Sequence, residues 1–140
     1  MEISIIGGGP VGCYAGYLFA KEGHLVTIYE NHPQIGLPIQ CTGILTNDFD
    51  EFKFPLKSFL VNTINKIEVI SSSGDNVTVK QRDYIVCRTR FDNFFADLAR
   101  KAGAKILVNH SFIRKDGEAL IIKNSLNDKD STINSNILPA

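Results

Sequence analysis

The chain has 140 residues, 44% of them hydrophobic, and its 15 Lys and Arg balance 15 Asp and Glu. That is one globular domain's worth of chain without net charge, which excludes nucleic-acid binding driven by excess basic charge. No apolar run approaches the ~18 to 20 residues of a membrane-spanning helix, and the start, Met1-Glu2-Ile3-Ser4-Ile5-Ile6, lacks the basic leader of a signal peptide and reads as a strand.

That first strand, Glu2 to Ile6, stops at Gly7-Gly8-Gly9-Pro10-Val11-Gly12. From Pro10 the period becomes helical, with Val11, Tyr14, Ala15, Leu18 and Phe19 recurring on one face. Pro10 suits the first helical turn and Gly23 the C-terminal stop. Leu25-Val26-Thr27-Ile28-Tyr29 is a second β-rich run ending at Glu30, which completes a βαβ unit. Residues 31–58 are interrupted by Pro33, Gly36, Pro38, Gly43 and Pro55 and read as one long functional or disordered loop.

Ile64 to Ser71 and Asn76 to Lys80 flank Ser72-Ser73-Gly74-Asp75, which predicts a β-hairpin. Tyr84 to Cys87 is a further strand. Phe91, Phe94, Phe95, Leu98, Ala99 and Ala102 then mark the apolar face of an amphipathic helix that stops at Gly103. Asp92, near its start, is expected to act as a favourable charge at the positive helix end. Lys105 to Val108 reads as a strand, and Phe112 to Lys115 with Glu118 to Lys123 as a hairpin turning at Asp116-Gly117. From Asn124 to Asn136 the chain is polar and is not expected to form an ordered element.

Cys13, Cys41 and Cys87 are odd in number and widely spaced, which fits neither a disulfide framework nor paired zinc ligands, and a reducing cytoplasm is the simplest compartment. His24, His32 and His110 lack metal-ligand spacing and read as surface or satisfied structural residues, so no metal site is expected.

The glycine-rich turn carries the chemistry. Gly7 permits the tight turn off the strand, Gly9 lets backbone approach a diphosphate, and Gly12 lets the helix pack closely. Gly16, one turn on, extends that surface. The helix N-terminus offers free N–H groups and partial positive charge to an anion, so Gly7, Gly9, Pro10, Val11 and Gly12 are candidate cofactor-binding residues. Glu30 follows Gly12 by 18 positions, close to the ~20-residue offset of the carboxylate that accepts hydrogen bonds from a ribose diol. A carboxylate there repels a 2′-phosphate, which disfavours NADP and favours FAD or NAD.

Together, the turn, Glu30, the loop Ile35-Gly36-Leu37-Pro38-Ile39-Gln40-Cys41-Thr42-Gly43 and the run Arg88-Thr89-Arg90-Phe91-Asp92 resemble the geranylgeranyl reductase family of flavoproteins over most of residues 1–123. The resemblance implies an α/β fold: an FAD-binding Rossmann-like βαβ unit with a β-meander insertion, like that of para-hydroxybenzoate hydroxylase, and incomplete here. The family's Pro-x-x-Cys segment matches Pro38-Ile39-Gln40-Cys41, which implies that Cys41, Thr42 and Gly43 line the flavin ring and substrate entrance. Its Arg-x-x-Phe-Asp motif matches Arg88 with Phe91-Asp92 and implies that Arg88 reaches the diphosphate or ribitol, with Arg90 as the competing register. An adenine-side backbone contact falls near Phe112. Cys41 is not read as a nucleophile, because no basic sequence neighbour argues for a thiolate.

The implied activity is FAD-dependent reduction of carbon–carbon double bonds in the geranylgeranyl chains of prenyl ether lipids, with NAD(P)H or ferredoxin as external electron donor. A flavin-dependent monooxygenase of the same fold and a non-catalytic dinucleotide-binding fragment are the alternatives. No catalytic general acid is identifiable. Residues 1–140 are read as the N-terminal part of an FAD-binding domain whose substrate domain lies outside this chain, either a fragment or a truncated reading. A cytoplasmic location, a prenyl lipid partner and room for peripheral membrane contact in a full-length enzyme complete the expectation.

Overall fold

The computed structural model describes residues 1–134. Its chain divides into two compact units, one formed by Met1–Ile39 with the chain from Asp92 onward, the other by Gln40–Phe91.

In the first unit, strand β1 (Glu2–Ile6) and strand β2 (Leu25–Tyr29) pair in parallel, with Ile3 opposite Val26 and Ile5 opposite Ile28. Helix α1 (Pro10–Lys21) makes the crossover between them. β2 also pairs in parallel with β8 (Lys105–Leu107), giving the strand order β1-β2-β8. Parallel strands need a crossover, and a helix covering the sheet is the usual solution. α1 presents Cys13, Gly16 and Ala20 to the sheet, where Ile3, Val26 and Ile28 are buried. A Cβ on Gly16 would stand 2.6 Å from Ile28 Cδ1, so the missing side chain is what lets the helix lie this close. The second helix, α2 (Arg88–Lys101), contributes buried Phe95, Ala96 and Ala99 to this unit, with Tyr14 edge-on to Phe95 at 5.7 Å between ring centroids.

Three antiparallel strands follow: β9 (His110–Asp116), β10 (Ala119–Asn124) and β11 (Lys129–Asn134), ordered β11-β10-β9 as a meander. Leu120 and Ile122 of β10 pack with Tyr29 of β2, and half-buried Ile133 of β11 closes over them. The hairpin turns at Gly117-Glu118, one residue later than the sequence suggests, because Asp116 pairs with Ala119. β11 corrects the reading of residues 124–136 as lacking an ordered element: a polar strand is held there by backbone pairing along the whole of β10. Residues 135–140, which include the last apolar run, lie outside the described part.

In the second unit, β3 (Ile44–Thr46), β4 (Leu60–Ile64) and β7 (Asp83–Val86) form an antiparallel sheet with β7 in the centre. β5 (Ile67–Ile70) and β6 (Asn76–Val79) form a separate ribbon, with Ile67 opposite Val79 and Val69 opposite Val77. The long loop expected over residues 31–58 therefore contains β3 and two short 3-10 helices, Asn47–Phe52 and Leu56–Ser58. Phe49, Phe59 and Phe91 meet at 5.0–6.0 Å between centroids, and Tyr84, 1% exposed, donates its hydroxyl to Asp50 at 2.7 Å. Among the described residues no helix is long and apolar enough to cross a membrane.

Candidate functional site

Gly7 leaves β1 with φ +101° and its N–H donates to the Tyr29 carbonyl at 2.8 Å, so the turn begins where the sheet ends. A Cβ on Gly12 would run into the Gly7 carbonyl oxygen. Helix and turn thus touch through bare backbone, and Gly12 is a packing requirement. Gly9 is different. Its φ of −69° and ψ of 177° suit any residue, and a Cβ there would meet nothing within 4 Å. Neither backbone strain nor crowding within the protein asks for glycine at this position, and the space beside it is open. The helix start carries no side-chain cap, and Val11 is 82% exposed beside it. Open first-turn amides with their partial positive charge suit an anion.

Glu30 is buried at the end of β2. Its Oε2 accepts the Gly8 N–H at 2.7 Å, and its Oε1 accepts the His32 N–H at 2.8 Å and lies 2.6 Å from His32 Nδ1. Burial opposes ionisation, but the His32 and Gly8 N–H groups and the His32 ring together hold the carboxyl below the ordinary glutamate value. The site therefore carries a fixed negative charge at the strand end. Beside it, a cleft of about 250 Å³ is lined by Ile6, Gly7, Tyr29, Asn31, His110 and Phe112, among others.

Phe112 is 41% exposed on β9, one strand later than the one that directly follows Gly103-Ala104. It lines the same cleft as Gly7 and Tyr29. Asn31 and Ser111, which the sequence marks only by adjacency to Glu30 and to Phe112, line the same cleft, as does His110, read from sequence as a surface or satisfied structural residue. His32, read as a surface or satisfied structural histidine, has the candidate ribose carboxylate itself as its partner.

Cys41, Thr42, Gly43 and Arg88 belong to the second unit. Gly43 has φ +74°, and a Cβ there would stand 2.6 Å from the Val86 carbonyl oxygen, so only glycine fits. Its own carbonyl accepts the Val86 N–H at 2.8 Å, extending the β3–β7 ladder to the loop. Cys41 is exposed, and the Gly43 N–H and the Arg88 guanidinium draw its thiol below the ordinary value. This basic neighbour comes from the far end of β7 and is invisible in local sequence. Arg90, the competing register, is directed at the Ser58 and Leu60 carbonyls at 3.3 and 3.5 Å, while Arg88 lies against the loop. Asp92 requires a correction. α2 starts at Arg88, so Asp92 sits beyond the first turn, where the positive helix end no longer acts on it as expected, and it is buried, 7% exposed.

Residues 5–66 match the family described as NAD(P)-binding Rossmann-like domain. The chain is 35% identical over 123 residues to digeranylgeranylglycerophospholipid reductase of Methanocaldococcus jannaschii, covering 84% of this chain and 31% of that protein. The chain is thus similar to the curated digeranylgeranylglycerophospholipid reductases over most of its own length. It spans about a third of the length of that curated relative.

A solved geranylgeranyl bacteriochlorophyll reductase-like protein of Thermoplasma acidophilum shares the fold with a TM-score of 0.78 at 24% identity, over 96% of this chain and 37% of that one. The myxobacterial chondrochloren halogenase, an FAD-dependent enzyme, shares it at a TM-score of 0.68 and 19% identity, over 94% of this chain and 34% of that one. The fold is thus the Rossmann-like one that these proteins share over this part of their length, and a flavin is the cofactor that these likenesses support. The residues present fit its ADP portion: a turn with space at Gly9, an uncapped helix start, an ionised carboxylate and an adjoining cleft.

Proposed function

We propose that this chain forms the cofactor-binding N-terminal part of an FAD-dependent oxidoreductase that saturates carbon–carbon double bonds in the geranylgeranyl chains of prenyl ether lipids. The observation that carries this reading is the 35% identity to the Methanocaldococcus reductase over 84% of the chain. When bound and reduced, FAD supplies hydride to one alkene carbon, and a proton must reach the other.

The chain's own residues bind and orient. Gly7, Gly9, Pro10, Val11 and Gly12 would hold the diphosphate, with the Val11 and Gly12 N–H groups as donors; Pro10 has no N–H and presets the helix start. Glu30 accepts from the adenosine ribose diol, and the backbone at Phe112 faces the adenine. Cys41, Thr42, Gly43 and Arg88 are assigned to the flavin side, Arg88 as a permanent cation with a donor fork. The substrate domain, the proton donor and the lipid tunnel lie outside these residues. NAD(P)H or ferredoxin is the external electron donor, and a prenyl lipid met at the membrane surface is the substrate.

The test is to express the gene in full, identify the released cofactor, and supply the protein with a reductant and an unsaturated geranylgeranyl ether lipid. The expected result is a yellow protein that releases FAD and adds one H2 per double bond. Oxygen-coupled hydroxylation would point to the monooxygenase alternative, and a colourless protein holding only an adenine nucleotide would point to a passive binding module. Either result overturns the proposal.

A further inference from the structure

Glu30 has a long side chain with three torsions, and a strand end does not by itself hold such a group still. Fixing it costs conformational entropy that a ligand would otherwise have to supply on binding. Here the protein's own groups grip the carboxylate at both oxygens. Gly8 N–H takes Oε2, and on Oε1 the His32 N–H and ring Nδ1 converge at 2.8 and 2.6 Å. An ionised carboxylate only accepts, so Nδ1 carries the proton in this contact. A separation of 2.6 Å belongs to the short, charge-assisted class.

His32 is itself anchored. Its carbonyl accepts the Asn109 N–H at 3.0 Å, the Glu30 carbonyl accepts the His110 N–H at 2.8 Å, and the Glu30 N–H donates to Leu107 at 2.9 Å. Main chain at both residues of the pair is therefore tied to the end of β8, the start of β9 and the turn between them, and the ring holds the carboxylate from a fixed base. One acceptor site on Oε2, beyond the one that Gly8 uses, stays available on a carboxylate with about four such sites.

We propose that His32 is a positioning residue: through its Nδ1–H bond to Oε1 it presets Glu30, with an acceptor site aimed at the 2′-hydroxyl of an adenine nucleotide's ribose. The inference rests on the reading of Glu30 as the ribose carboxylate, and it adds the residue that makes that carboxylate selective.

The experiment measures ADP and 2′-deoxy-ADP binding by titration calorimetry to the chain itself and to its His32→Ala and His32→Asn variants. The wild-type chain is expected to bind ADP about tenfold more tightly than 2′-deoxy-ADP. His32→Ala is expected to lose most of that preference by weakening ADP alone. His32→Asn, whose amide can donate from nearly the same place, is expected to restore it. A merely structural role would weaken both nucleotides alike, and that result, or an unchanged preference in His32→Ala, overturns the assignment of His32 while leaving Glu30 in place. A wild-type chain that binds both nucleotides equally, or neither, overturns the reading of Glu30 itself.

Discussion

Glu30 and Gly8 are 22 positions apart in sequence and joined by a 2.7 Å hydrogen bond from the glycine N–H to the carboxylate Oε2. The bond ties the end of β2 to the glycine-rich turn, so one carboxylate shapes the turn and charges it. Glu30→Gln keeps the length of the side chain but brings an NH2 group toward donors already aimed at the carboxylate. One buried donor then loses its acceptor, and the variant is expected to lose about 1–3 kcal/mol of stability and at least tenfold in adenine nucleotide affinity. Denaturant unfolding and calorimetry measure the two effects separately; a variant that loses neither would show the carboxylate to be idle.

The same pair predicts a response to acid. The carboxyl of Glu30 is held below its ordinary value of 4.5, because the N–H groups of His32 and Gly8 and the His32 ring outweigh its burial. A carboxylate whose value is depressed on folding stabilises the fold fully above its unfolded value, and that contribution disappears as pH falls through the native one. The stability gap between the wild-type chain and Glu30→Gln is therefore expected to close as pH falls below about 4.5. Unfolding midpoints measured below that value check the sign; a gap that widens there contradicts it.

Gly9 and Gly12 separate binding from folding. Gly9 has ordinary dihedral angles and open space where a Cβ would go, so Gly9→Ala is expected to fold with wild-type stability and to bind FAD at least tenfold more weakly. At Gly12 the same methyl group collides with the Gly7 carbonyl, a backbone atom that has nowhere to move, so Gly12→Ala is expected to destabilise by about 1–3 kcal/mol. Circular dichroism melting and flavin titration distinguish the two. If Gly9→Ala bound FAD normally, the space beside it would have no cofactor in it.

The contrast between these glycines shows what the sequence can and cannot disclose. β1, α1 and β2 are bounded by local signals, namely apolar period, Pro10 at a helix start and a glycine at the stop, and the structure places them within a residue or two of those bounds, whereas α2 begins at Arg88, three residues before the apolar period that marks it. β4 was missed because it is short and mixed, with Val61 and Asn62 exposed. β11 was missed because its sequence, Lys129-Asp130-Ser131-Thr132-Ile133-Asn134, is polar and its reason for being a strand is the partner strand β10. The β5–β6 ribbon was found despite being exposed throughout, since its turn chemistry, not burial, gives it away. At the site, the fingerprint and Glu30 are contiguous signals and were legible. The cleft wall of His110, Ser111 and Phe112 reaches Gly7 and Tyr29 only through the fold, and the Arg88 contact with Cys41 exists only because the loop continues the β3–β7 ladder.

The three thiols should differ in reactivity for reasons that oppose one another. Burial pushes Cys13 up to about 12, with its Sγ donating to the Gly8 carbonyl at 3.2 Å and its residue fully enclosed. Cys41 is exposed and drawn down by the Gly43 N–H and Arg88; Cys87, half-buried, is drawn down by Arg90. The thiolate is the attacking species, so alkylation follows thiolate fraction and access. Timed iodoacetamide labelling of the native chain at pH 7.5, read by peptide mass spectrometry, is expected to modify Cys41 first, Cys87 more slowly and Cys13 only on unfolding. Arg88→Ala is expected to slow Cys41 several-fold and to leave Cys87 unchanged, because the cation beside each thiol is a different arginine. Equal labelling of Cys41 in the wild-type and variant chains would remove Arg88 from the loop's electrostatics, and with it the reason for assigning Arg88 over Arg90 to the cofactor.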